Sequence, residues 1–465
     1  MRTGLGLALW VMAAGGAMAA PVEKPRVIVI SDIGNEPDDS ESLVRYLLYA
    51  NDLDTEGFIA STSTWQKDVI RPDLMYERID AYGTVLPNLR RHAEGYPEAS
   101  ALRALVKRGQ AAYGLAAVGE GKDTEGSEWL ISQVDKPDPR PVWVLNWGGS
   151  VDLAQALYKV RKTRTPEELA RFVSKIRVYA ISDQDDAGPW VRLNFPDLFW
   201  IGSIHAFNDY AVSTWYGISG DVKLDKAAQA ISGPDTSLVT NVWLDQNIRK
   251  GPLGELYPHH TVIMEGDTPA FLYLLRPDLS NPEYPNWGSW GGRYNRVSVH
   301  QPLFVDAHDT IAGKDGRIYT SNQATVWRWR QAYQNDFAAR IQWTLTPDVA
   351  AGNHRPVAVL NGTYGTAPLE IVAGARETVS LSAAGSSDPD GQEVSFRWYY
   401  YQEAGENTRY VKVPLSASEG ENTTLVVPDN FTGKLHVILE VWDNGTPALV
   451  TYRRAIISVG SAESR

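Results

Sequence analysis

The hydrophobic pattern divides the chain into two parts. In the first part, short continuous apolar runs alternate with stretches that repeat apolar residues at helical spacing, and each run ends in a polar or glycine-rich loop. The runs lie at Val27–Ile30, Thr55–Thr62, Pro141–Asn146 and Arg177–Ile181. Because continuous apolar strands are buried on both faces of a parallel sheet, residues 25–346 are predicted to form a doubly wound α/β domain with a mostly parallel sheet.

The segments between these runs have the periodicity of helices. The predicted helices are Ser40–Tyr49, Arg71–Leu89, Glu98–Gly109, Gly126–Gln133 and Val151–Val160. A fifth strand-like run, Thr261–Met264, precedes a predicted helix at Ala270–Leu275. Ligands of open α/β sheets bind just beyond the carboxyl ends of the strands, so the loops that follow the strands are expected to share one edge and to carry the chemistry.

The second part of the chain alternates apolar and polar residues over short stretches. Residues 347–356 are predicted to be a linker, and residues 357–461 a β-sandwich of about 105 residues. Its clearest predicted strands are Thr378–Leu381, Val394–Tyr401 and Lys434–Val441, separated by Asp, Asn and Gly turns.

The first residues have the pattern of a signal peptide. One Arg precedes an apolar stretch from Leu5 to Ala14, and Ala17–Ala19 supplies small residues, so we expect residues 1–19 to be removed after Ala19. That stretch is too short to span a bilayer, and no other run is long enough, so we predict a soluble protein without a membrane span, either secreted or periplasmic. The absence of Cys excludes disulfides and thiol nucleophiles.

Four acids follow the first predicted strand. Asp32, Glu36, Asp38 and Asp39 lie in the stretch SDIGNEPDD, directly before a predicted helix. One acid would be enough to cap that helix, which is the simplest structural interpretation of Asp38 or Asp39. Four acids in one loop repel one another unless a cation neutralises them, and Ca²⁺ takes six to eight oxygen ligands. The loop therefore predicts a calcium site.

A second acidic loop, Glu265-Gly266-Asp267, comes just before the helix predicted at residues 270–275. It repeats the arrangement of the first loop, with acids between an apolar run and a helix. Asp267 could equally cap this helix, since Pro269 suits the first helical turn.

These motifs resemble a known family. A strand, then Asp-x-Gly, then an Asp-Asp pair that opens a helix is similar to the signature of nucleoside hydrolases, and the longer SDIGNEPDD is similar to the nucleoside-hydrolase-like glycosidases called DUF1593 or Sde182-like. The resemblance runs from Pro25 to about Trp343, and NWGGS, EGDTP and NWGSWGGRY belong to it. The chain departs from the nucleoside hydrolase loop at Ile30, where that family has a further Asp, and has two more residues before the acid pair. These departures argue against ribose recognition more than against metal binding.

The resemblance implies roles for individual residues. Asp32 would be the general base that takes a proton from a calcium-bound water, which attacks the anomeric carbon and inverts it. The proton for the leaving oxygen would come from one of five groups that the sequence does not separate: His205, His308, Asp185, Asp186 and Glu265. Of these, His205 and Asp185 are retained with Asp32 as the catalytic candidates. The implied calcium ligands are Asp32, Asp38, Asp39, Asp267 and the main-chain carbonyl of Val151, with Ser150 as the alternative carbonyl.

Composition bears on the partners. A net charge of −12 argues against nucleic acid and anionic membranes and favours a neutral ligand. The chain has 16 Trp and 22 Tyr, and clusters such as WGSWGGRY and VWRWRQAY mix Trp with Gly or Arg in a way that suits stacking on sugars. Residues 196–220 are interpreted as a wall of the substrate pocket. The predicted substrate-binding residues are Asn35, Glu36, Trp65, Asn146, Trp147, Asp183, Gln184, Trp190, Asn208, Glu265, Trp287, Trp290 and Arg293.

Two functions from different classes follow. The favoured one is a secreted Ca²⁺-dependent glycoside hydrolase that cleaves an N- or O-glycosidic bond, in a polysaccharide or oligosaccharide. The alternative is a non-catalytic carbohydrate-binding protein, of the cellulose-binding type, on a nucleoside-hydrolase fold. A nucleoside-scavenging enzyme is a third reading, and a homo-oligomer is compatible with the sequence. In the second part of the chain, AAGSSDPDGQEVSFRWYYY resembles PKD and immunoglobulin-like modules of secreted glycosidases, which implies an immunoglobulin-like sandwich.

Overall fold

The structure is a computed structural model that describes residues 23–204, 210–220, 235–261, 263–276, 278–408 and 411–460. Within these ranges, none of the helices is long and apolar enough to cross a membrane. The predicted signal peptide, residues 1–19, lies outside the described residues.

The strands and helices alternate through the first part of the chain, and strands dominate the second. The strands are β1 Arg26–Ser31, β2 Asp54–Ala60, β3 Val106–Arg108, β4 Val142–Asn146, β5 Ile176–Ser182, β6 Phe199–Ser203, β7 Tyr294–Ser298, β8 Gln301–Asp306, β9 Asp309–Ala312, β10 Ile318–Ser321, β11 Leu369–Val372, β12 Thr378–Ser382, β13 Val394–Tyr400, β14 Asn422–Val426, β15 Gly433–Asp443 and β16 Val450–Val459. The helices are α1 Asp38–Leu48, α2 Pro72–His92, α3 Ala99–Ala104, α4 Glu125–Val134, α5 Val151–Thr163, α6 Pro166–Ser174, α7 Ala187–Asn194, α8 Asn241–Asn247, α9 Gly251–Gly254, α10 Thr268–Leu272, α11 Ala324–Trp327 and α12 Arg330–Leu345.

An eight-stranded sheet forms the centre of the first part, in the order β3-β2-β1-β4-β5-β6-β8-β7. All neighbours pair in parallel except β7, which runs antiparallel to β8. The strand order reverses between β1 and β4, so the chain winds outward in both directions from this pair. A crevice at such a reversal is where open α/β sheets bind their ligands. The prediction of a mostly parallel, doubly wound sheet is confirmed.

Two apolar cores cover the faces of this sheet. Val27 and Val29 of β1 face one core, which includes residues of α1, α2, α10 and α12, whereas Ile28 and Ile30 face the other, which includes residues of α4, α5, α6 and α7. Successive side chains of a strand point to opposite faces, so the continuous apolar run of β1 fills both cores at once. This strand and the loop after it are therefore fixed from two sides.

Two predicted elements differ from the structure. The helix predicted over residues 98–109 ends at Ala104, and Val106–Arg108 instead pairs in parallel with β2 as an edge strand. Thr261, Ile263 and Met264 are not in a strand. The position beside β6 that a further strand would take is occupied by β8, so this apolar run is free to pack as irregular chain.

The second part forms sheets with a core of their own. A four-stranded sheet has the order β11-β16-β15-β13, and β12 pairs with β14. Val379 and Leu381 of β12, with Leu435 and Val437 of β15, belong to a common apolar cluster. The C-terminal part is therefore strand-rich, as predicted; its immunoglobulin-like character stays a prediction.

The two parts also share a core. Tyr401, Ile438 and Tyr452 from the C-terminal part belong to the same apolar cluster as residues of β1 and α1. Within the stretch 347–356, Asn353 is buried, and its amide Nδ2 donates to both Asp443 carboxylate oxygens at 3.2 Å. The predicted linker is thus tied to the C-terminal part by hydrogen bonds.

Candidate active site

The loops after β1, β2 and β4 meet at the carboxyl edge of the sheet. The Ser61 amide donates to the Ser31 carbonyl at 2.8 Å, and the Trp147 amide donates to the Ile30 carbonyl at 2.8 Å. The Gly149 amide reaches the Thr62 carbonyl at 2.9 Å. These bonds continue the ladder past the strand ends, so the loops lie side by side at the point where the strand order reverses.

Three carboxylates converge there. Asp38 and Asp39 lie in the first turn of α1, and Asp267 directly precedes α10; each offers one oxygen, and these oxygens all lie within 4.8 Å of one another. All three residues are buried. Asp267 occupies the N-cap position of α10 without a side-chain capping hydrogen bond, and Asp38 and Asp39 come after the N-cap residue of α1, which is Pro37. The helix-cap interpretation that the sequence left open for these residues therefore does not hold.

The cluster is electrostatically unfavourable without a cation. Burial, together with Glu36 and Asp32, raises the pKa of Asp38 to about 7. Burial and the charges of Asp39 and Asp38 raise the pKa of Asp267 well above its ordinary value. Burial and the charges of Asp32 and Asp38 also raise the pKa of Asp39 well above its ordinary value, although its Oδ1 accepts a short hydrogen bond from the Ser31 hydroxyl. Carboxylates this close cannot all ionise unless positive charge joins them.

The residues fit a hard divalent cation. Two buried oxygens of the cluster, Asp38 Oδ1 and Asp267 Oδ2, have no hydrogen-bond partner within the described part of the chain. Oxygen ligands lie about 2.3–2.6 Å from Ca²⁺, so two ligands of one ion are at most about 5 Å apart, which is the spacing of this cluster. The main-chain carbonyl of Val151, implied as a further ligand, belongs to the first residue of α5; its role stays a prediction.

Asp32 lies beside the cluster but has different neighbours. It is buried against Gly148, where an added Cβ would come within 2.7 Å of Asp32 Oδ1. Burial raises the pKa of Asp32 to about 6, against the hydrogen bond from Ser63 that lowers it. Asp32 also contributes to the raised pKa values of Asp38 and Asp39. Asp32 therefore interacts electrostatically with the cluster but is not one of the three carboxylates that converge.

Asp185 lies on the other side of the turn formed by Gly148 and Gly149. Its Oδ1 accepts hydrogen bonds from the Ala187 amide at 3.0 Å and the Gly188 amide at 3.2 Å. Its buried Oδ2 has no hydrogen-bond partner among the described residues and points at Gly149, where a Cβ would collide with it. Burial raises the pKa of Asp185 to about 7. Asp32 and Asp185 thus flank the Gly148-Gly149 turn, which requires residues without side chains.

Aromatic residues form a wall next to the acids. Trp65 is 43% exposed, and its Nε1 donates to the Tyr210 hydroxyl at 3.0 Å. Burial and the charges of Glu36 and Asp32 raise the pKa of Tyr210, which places this hydroxyl near the acidic loop. Tyr210 packs edge-on against Trp215 with ring centroids 5.2 Å apart. Part of the predicted pocket wall, residues 196–220, is therefore at the site.

Several other predicted residues lie at the same edge. Asn35 and Glu36 are exposed in the acidic loop. Asn146 is buried, with its Nδ2 donating to Ser150 Oγ at 2.8 Å and its Oδ1 without a partner in the described chain. Gln184 donates to the Trp147 carbonyl. The Trp147 ring itself is 1% exposed, so its main chain belongs to the site and its ring to the core.

Other predicted residues are engaged elsewhere. Asp183 forms a two-point ion pair with Arg192. Glu265 is fully buried and accepts from Arg45 at 2.7 Å and from the Tyr257 hydroxyl at 2.7 Å. Asp186 Oδ1 accepts from the Leu115 amide at 2.7 Å. Trp190 packs on Phe195 with ring centroids 5.9 Å apart. These contacts give each residue a structural role.

The tryptophan and arginine side chains of the motif NWGSWGGRY are engaged with other parts of the chain. Trp290 is fully buried, and its Nε1 donates to the Tyr452 hydroxyl of the C-terminal sheet at 3.1 Å. The carbonyl of Trp287 accepts from Arg454 at 3.0 Å, and Arg293 bonds Asp309 at 2.7 Å. The predicted substrate-binding role of Trp287, Trp290 and Arg293 is corrected: Trp287 and Trp290 bond residues of the C-terminal sheet, and Arg293 bonds Asp309 of β9.

Among the remaining candidates, His205 and Asn208 lie outside the described residues. His308 is exposed, and its carbonyl accepts a hydrogen bond from Arg293.

Two polar residues that the sequence did not single out, Ser63 and Gln66, form hydrogen bonds with Asp32. Ser63 bonds the Asp32 carboxylate, and Gln66 Nε2 donates to the Asp32 carbonyl at 3.0 Å. Both follow β2 in the stretch STSTWQ, so the same strand-end rule that selected Asp32 would have found them. Glu41 is different: its Oε2 accepts from the Glu265 amide at 2.8 Å, a contact between distant parts of the chain that no local pattern indicates.

Comparisons with known proteins cover most of the chain. A model of the family described as cellulose-binding Sde182, nucleoside hydrolase-like domain, matches residues 26–294, and one described as cellulose-binding protein Sde0182, C-terminal domain, matches residues 378–459. A solved structure from Saccharophagus degradans, described as a nucleoside hydrolase-related hypothetical protein associated with carbohydrate metabolism, is 37% identical, with a TM-score of 0.78 over 94% of this chain and 100% of that chain. The type III effector protein XopQ, solved with adenosine diphosphate ribose, is 12% identical over 70% of this chain and 96% of its own, with a TM-score of only 0.33. None of the curated proteins matches.

Proposed function

Because the chain belongs to the family of cellulose-binding Sde182 proteins with a nucleoside hydrolase-like domain, we propose that it is an exported glycoside hydrolase that uses the acids at the carboxyl edge of its sheet and a calcium ion. The observation that carries the calcium site is the cluster of Asp38, Asp39 and Asp267, buried together, with two oxygens that have no hydrogen-bond partner among the described residues. A fold that retains so unfavourable a cluster at its ligand-binding crevice gains something from it.

The cluster would hold the ion, with Asp32 beside it and the Val151 carbonyl as a further ligand. Bound calcium would supply positive charge that orients sugar hydroxyls and a water and lowers the pKa of nearby carboxylates. Without a bound ion the pKa of Asp32 is about 6. Calcium would lower this pKa, so Asp32 would be ionised at neutral pH and able to accept a proton.

Two carboxyl groups share the proton transfers. Asp32 accepts a proton from the attacking water while the oxygen of that water bonds to the anomeric carbon and the glycosidic bond breaks. Asp185 donates a proton to the leaving oxygen, and burial, which raises its pKa to about 7, keeps about half of it protonated at neutral pH. A single displacement of this kind inverts the anomeric centre. The wall of Trp65 and Tyr210 offers rings on which a sugar face can stack.

The alternative function is carbohydrate binding without catalysis. The words "cellulose-binding" in the names of both family models favour it. A binding protein would need the cation cluster to orient a sugar, but it would not need Asp32 and Asp185 on both sides of the Gly148-Gly149 turn. The pair of acids with raised pKa values is the reason to prefer catalysis.

A product screen separates the two functions. Purified protein would be incubated with cello-oligosaccharides, other plant and microbial glycans, and nucleosides, each with calcium and with EDTA. We expect release of sugar from at least one glycan, dependent on calcium, with the product formed in the inverted configuration by NMR. Binding to several glycans with cleavage of none would establish the carbohydrate-binding alternative instead.

A further inference from the structure

Three titratable side chains form a hydrogen-bonded row where the two parts of the chain join. His92 is the last residue of α2, His354 lies in the stretch 347–356, and Asp390 lies in the turn between β12 and β13. His92 Nδ1 and His354 Nε2 are 3.2 Å apart, and His354 Nδ1 lies 3.0 Å from Asp390 Oδ1. The row therefore connects the α/β domain to the C-terminal part through the stretch 347–356.

Packing fixes the positions of both imidazole rings. The Trp343 ring of α12 stacks on them, with its centroid 5.5 Å from that of His92 and 5.2 Å from that of His354. Gly352 leaves the room that His92 needs, because an added Cβ would lie 2.8 Å from His92 Cε1. The His354 side chain remains 15% exposed, so protons from solvent reach the pair.

The outer nitrogen of each ring faces a group that can only accept a hydrogen bond. His92 Nε2 lies 2.9 Å from the Thr346 carbonyl oxygen, so His92 carries a proton on Nε2. His354 Nδ1 faces the Asp390 carboxylate and carries a proton for the same reason. Two neutral rings would then point two lone pairs at each other. A hydrogen bond between the inner nitrogens requires one further proton, and a second further proton would place two N–H groups against each other.

The surrounding charges assign that proton to His354. Burial lowers the pKa of His92 below its ordinary value, the Thr346 carbonyl acts against burial, and the charge of His354 lowers this pKa further. Asp348 and Asp390 act on His92 in the opposite direction without reversing the shift. Asp390 also pairs with His354 and offsets a positive charge on that ring. His92 is thus the neutral acceptor of the pair, and His354 is the charged donor.

Other charged groups beside the pair are engaged within the chain. Arg355 lies 3.5 Å from the Asp336 carboxylate, and the Asp443 carboxylate accepts from the amide of Asn353. The protonation of the histidine pair therefore depends chiefly on its own two rings and on the two aspartates that act on His92.

We propose that His92, His354 and Asp390 form an acid-sensitive link that holds the stretch 347–356 on helix α2. One proton, on His354, makes the link, and a second proton, on His92 Nδ1, breaks it. Because the pKa of His92 lies below its unfolded value of about 6.5, the unfolded chain binds this second proton first. The stability that the link confers is therefore present above pH about 6.5 and is lost as the pH falls. The apolar core that the two parts share does not titrate in this range, so the opening is confined to this stretch.

Nitrogen NMR of the full chain, labelled at histidine, tests where the protons lie and needs no substrate. At pH about 7.5 we expect His92 to be neutral with its proton on Nε2, and His354 to be protonated on both nitrogens. At pH about 5 both rings should be charged. Two neutral rings at pH about 7.5 would overturn the proposal.

Hydrogen exchange measures the opening of the stretch. Its amides include those of Gly352, bonded to the Val349 carbonyl at 3.1 Å, and of His354, bonded to Asp390 Oδ2 at 2.8 Å. After correction for the intrinsic pH dependence of exchange, their protection in the parent should fall about tenfold between pH about 7.5 and pH about 5. His92→Phe keeps a ring against Trp343 but no nitrogen, so its protection should equal the parent's lower value at both pH values.

Two further variants complete the experiment. Asp390→Asn keeps an acceptor for His354 but removes the charge that offsets its proton, so protection at pH about 7.5 should fall toward that of His92→Phe. His300→Gln changes an exposed histidine between β7 and β8 and should behave as the parent.

Three results would contradict the acid-sensitive link. Protection in the parent might stay constant in acid, or His92→Phe might show the same loss in acid as the parent; either result removes the pair as the cause. A gain in protection when Zn²⁺ is added at pH about 7.5, absent from His92→Phe, would mean that the pair holds a metal ion and not a proton.

Discussion

Two buried aspartates show how differently this protein treats buried charge. Asp267 is 1% exposed in the acidic cluster, and Asp309 is 0% exposed between the two parts of the chain. Burial raises the pKa of Asp267, and its neighbours Asp39 and Asp38 raise it further. Burial acts on Asp309 in the same way, but Arg328 and Arg293 outweigh it and hold its pKa below the ordinary value.

The two aspartates differ in their hydrogen-bond partners. Asp309 accepts from Arg293 at 2.7 Å, from Arg328 at 2.5 Å and from the Tyr401 hydroxyl at 2.7 Å, so all its charge is compensated within the chain. Asp267 has a buried oxygen without any partner among the described residues. A compensated buried charge belongs to the architecture, whereas an uncompensated one at a ligand-binding crevice indicates a missing cation.

The same substitution should therefore have opposite effects at the two aspartates. Asp309→Asn leaves two arginines buried without their counter-charge and should lower the free energy of unfolding by about 3–5 kcal/mol. In EDTA, Asp267→Asn removes a repulsive charge and should leave stability unchanged or raise it. Thermal and denaturant melts of both variants measure this. Equal losses would mean that the acidic cluster is compensated by some other group.

Asp32→Asn separates catalysis from architecture at the acidic edge. Loss of a positioned base typically reduces turnover by about 10²-fold or more, equivalent to about 2.7 kcal/mol, and the melting temperature should change little. The rate would be measured on the glycan that the product screen identifies. Asp80→Asn, an exposed acid paired with Arg103, serves as the control. Turnover of the Asp32 variant at the parent rate would exclude Asp32 as the base.

Stability in EDTA should fall as the pH rises. The folded-state pKa values of Asp38, Asp39 and Asp267 lie above the unfolded value of about 4, so the stability they confer when protonated is complete below pH about 4. It is lost as the pH rises through the folded values, about 7 for Asp38.

Calcium should reverse this loss. An ion at a hundred times its Kd stabilises by about 2.7 kcal/mol, so for a chain of this length we expect the melting temperature at pH about 8 to rise by about 3 °C. The rise in melting temperature on adding calcium should become smaller toward pH about 4, because protons compete with the ion for the carboxylates. Melts over this pH range, with calcium and with EDTA, measure both trends. A calcium increment that does not depend on pH would place the ion elsewhere.

Trp290→Phe should have the smallest effect. It keeps an aromatic ring in the interface but removes the hydrogen bond to the Tyr452 hydroxyl, which should cost about 1 kcal/mol. The KM for the identified glycan should stay the same, because Trp290 is fully buried. A raised KM with unchanged stability would return Trp290 to the substrate pocket.

The sequence predicted the family, the α/β domain and the convergence of the acids. β1 is apolar on both faces and Asp32, Asp38 and Asp39 follow it directly, so local pattern and sheet topology place them together. Asp267 came from the family resemblance, and the structure brings it to the same cluster.

Tertiary packing decided what the sequence could not. Trp290 and Arg293 look like a sugar platform in the sequence, but their partners Tyr452 and Asp309 lie far away in the chain or beyond a turn. Glu265 was predicted to bind substrate and was one of five candidate proton donors, yet Arg45, 220 residues away, pairs with it. Such partners carry no local signal, so a conspicuous motif cannot be assigned to a site or an interface until its burial is known.

Calcium titration tests the central claim most directly. Protein stripped with EDTA and dialysed would be titrated calorimetrically with Ca²⁺, in parallel with Asp267→Asn and with the surface control Asp80→Asn. The account predicts one site per chain in the parent and in the control, and a loss of at least tenfold in affinity in Asp267→Asn. No calcium binding by the parent, or equal affinity in Asp267→Asn, would contradict the assignment of the buried carboxylates as a cation site.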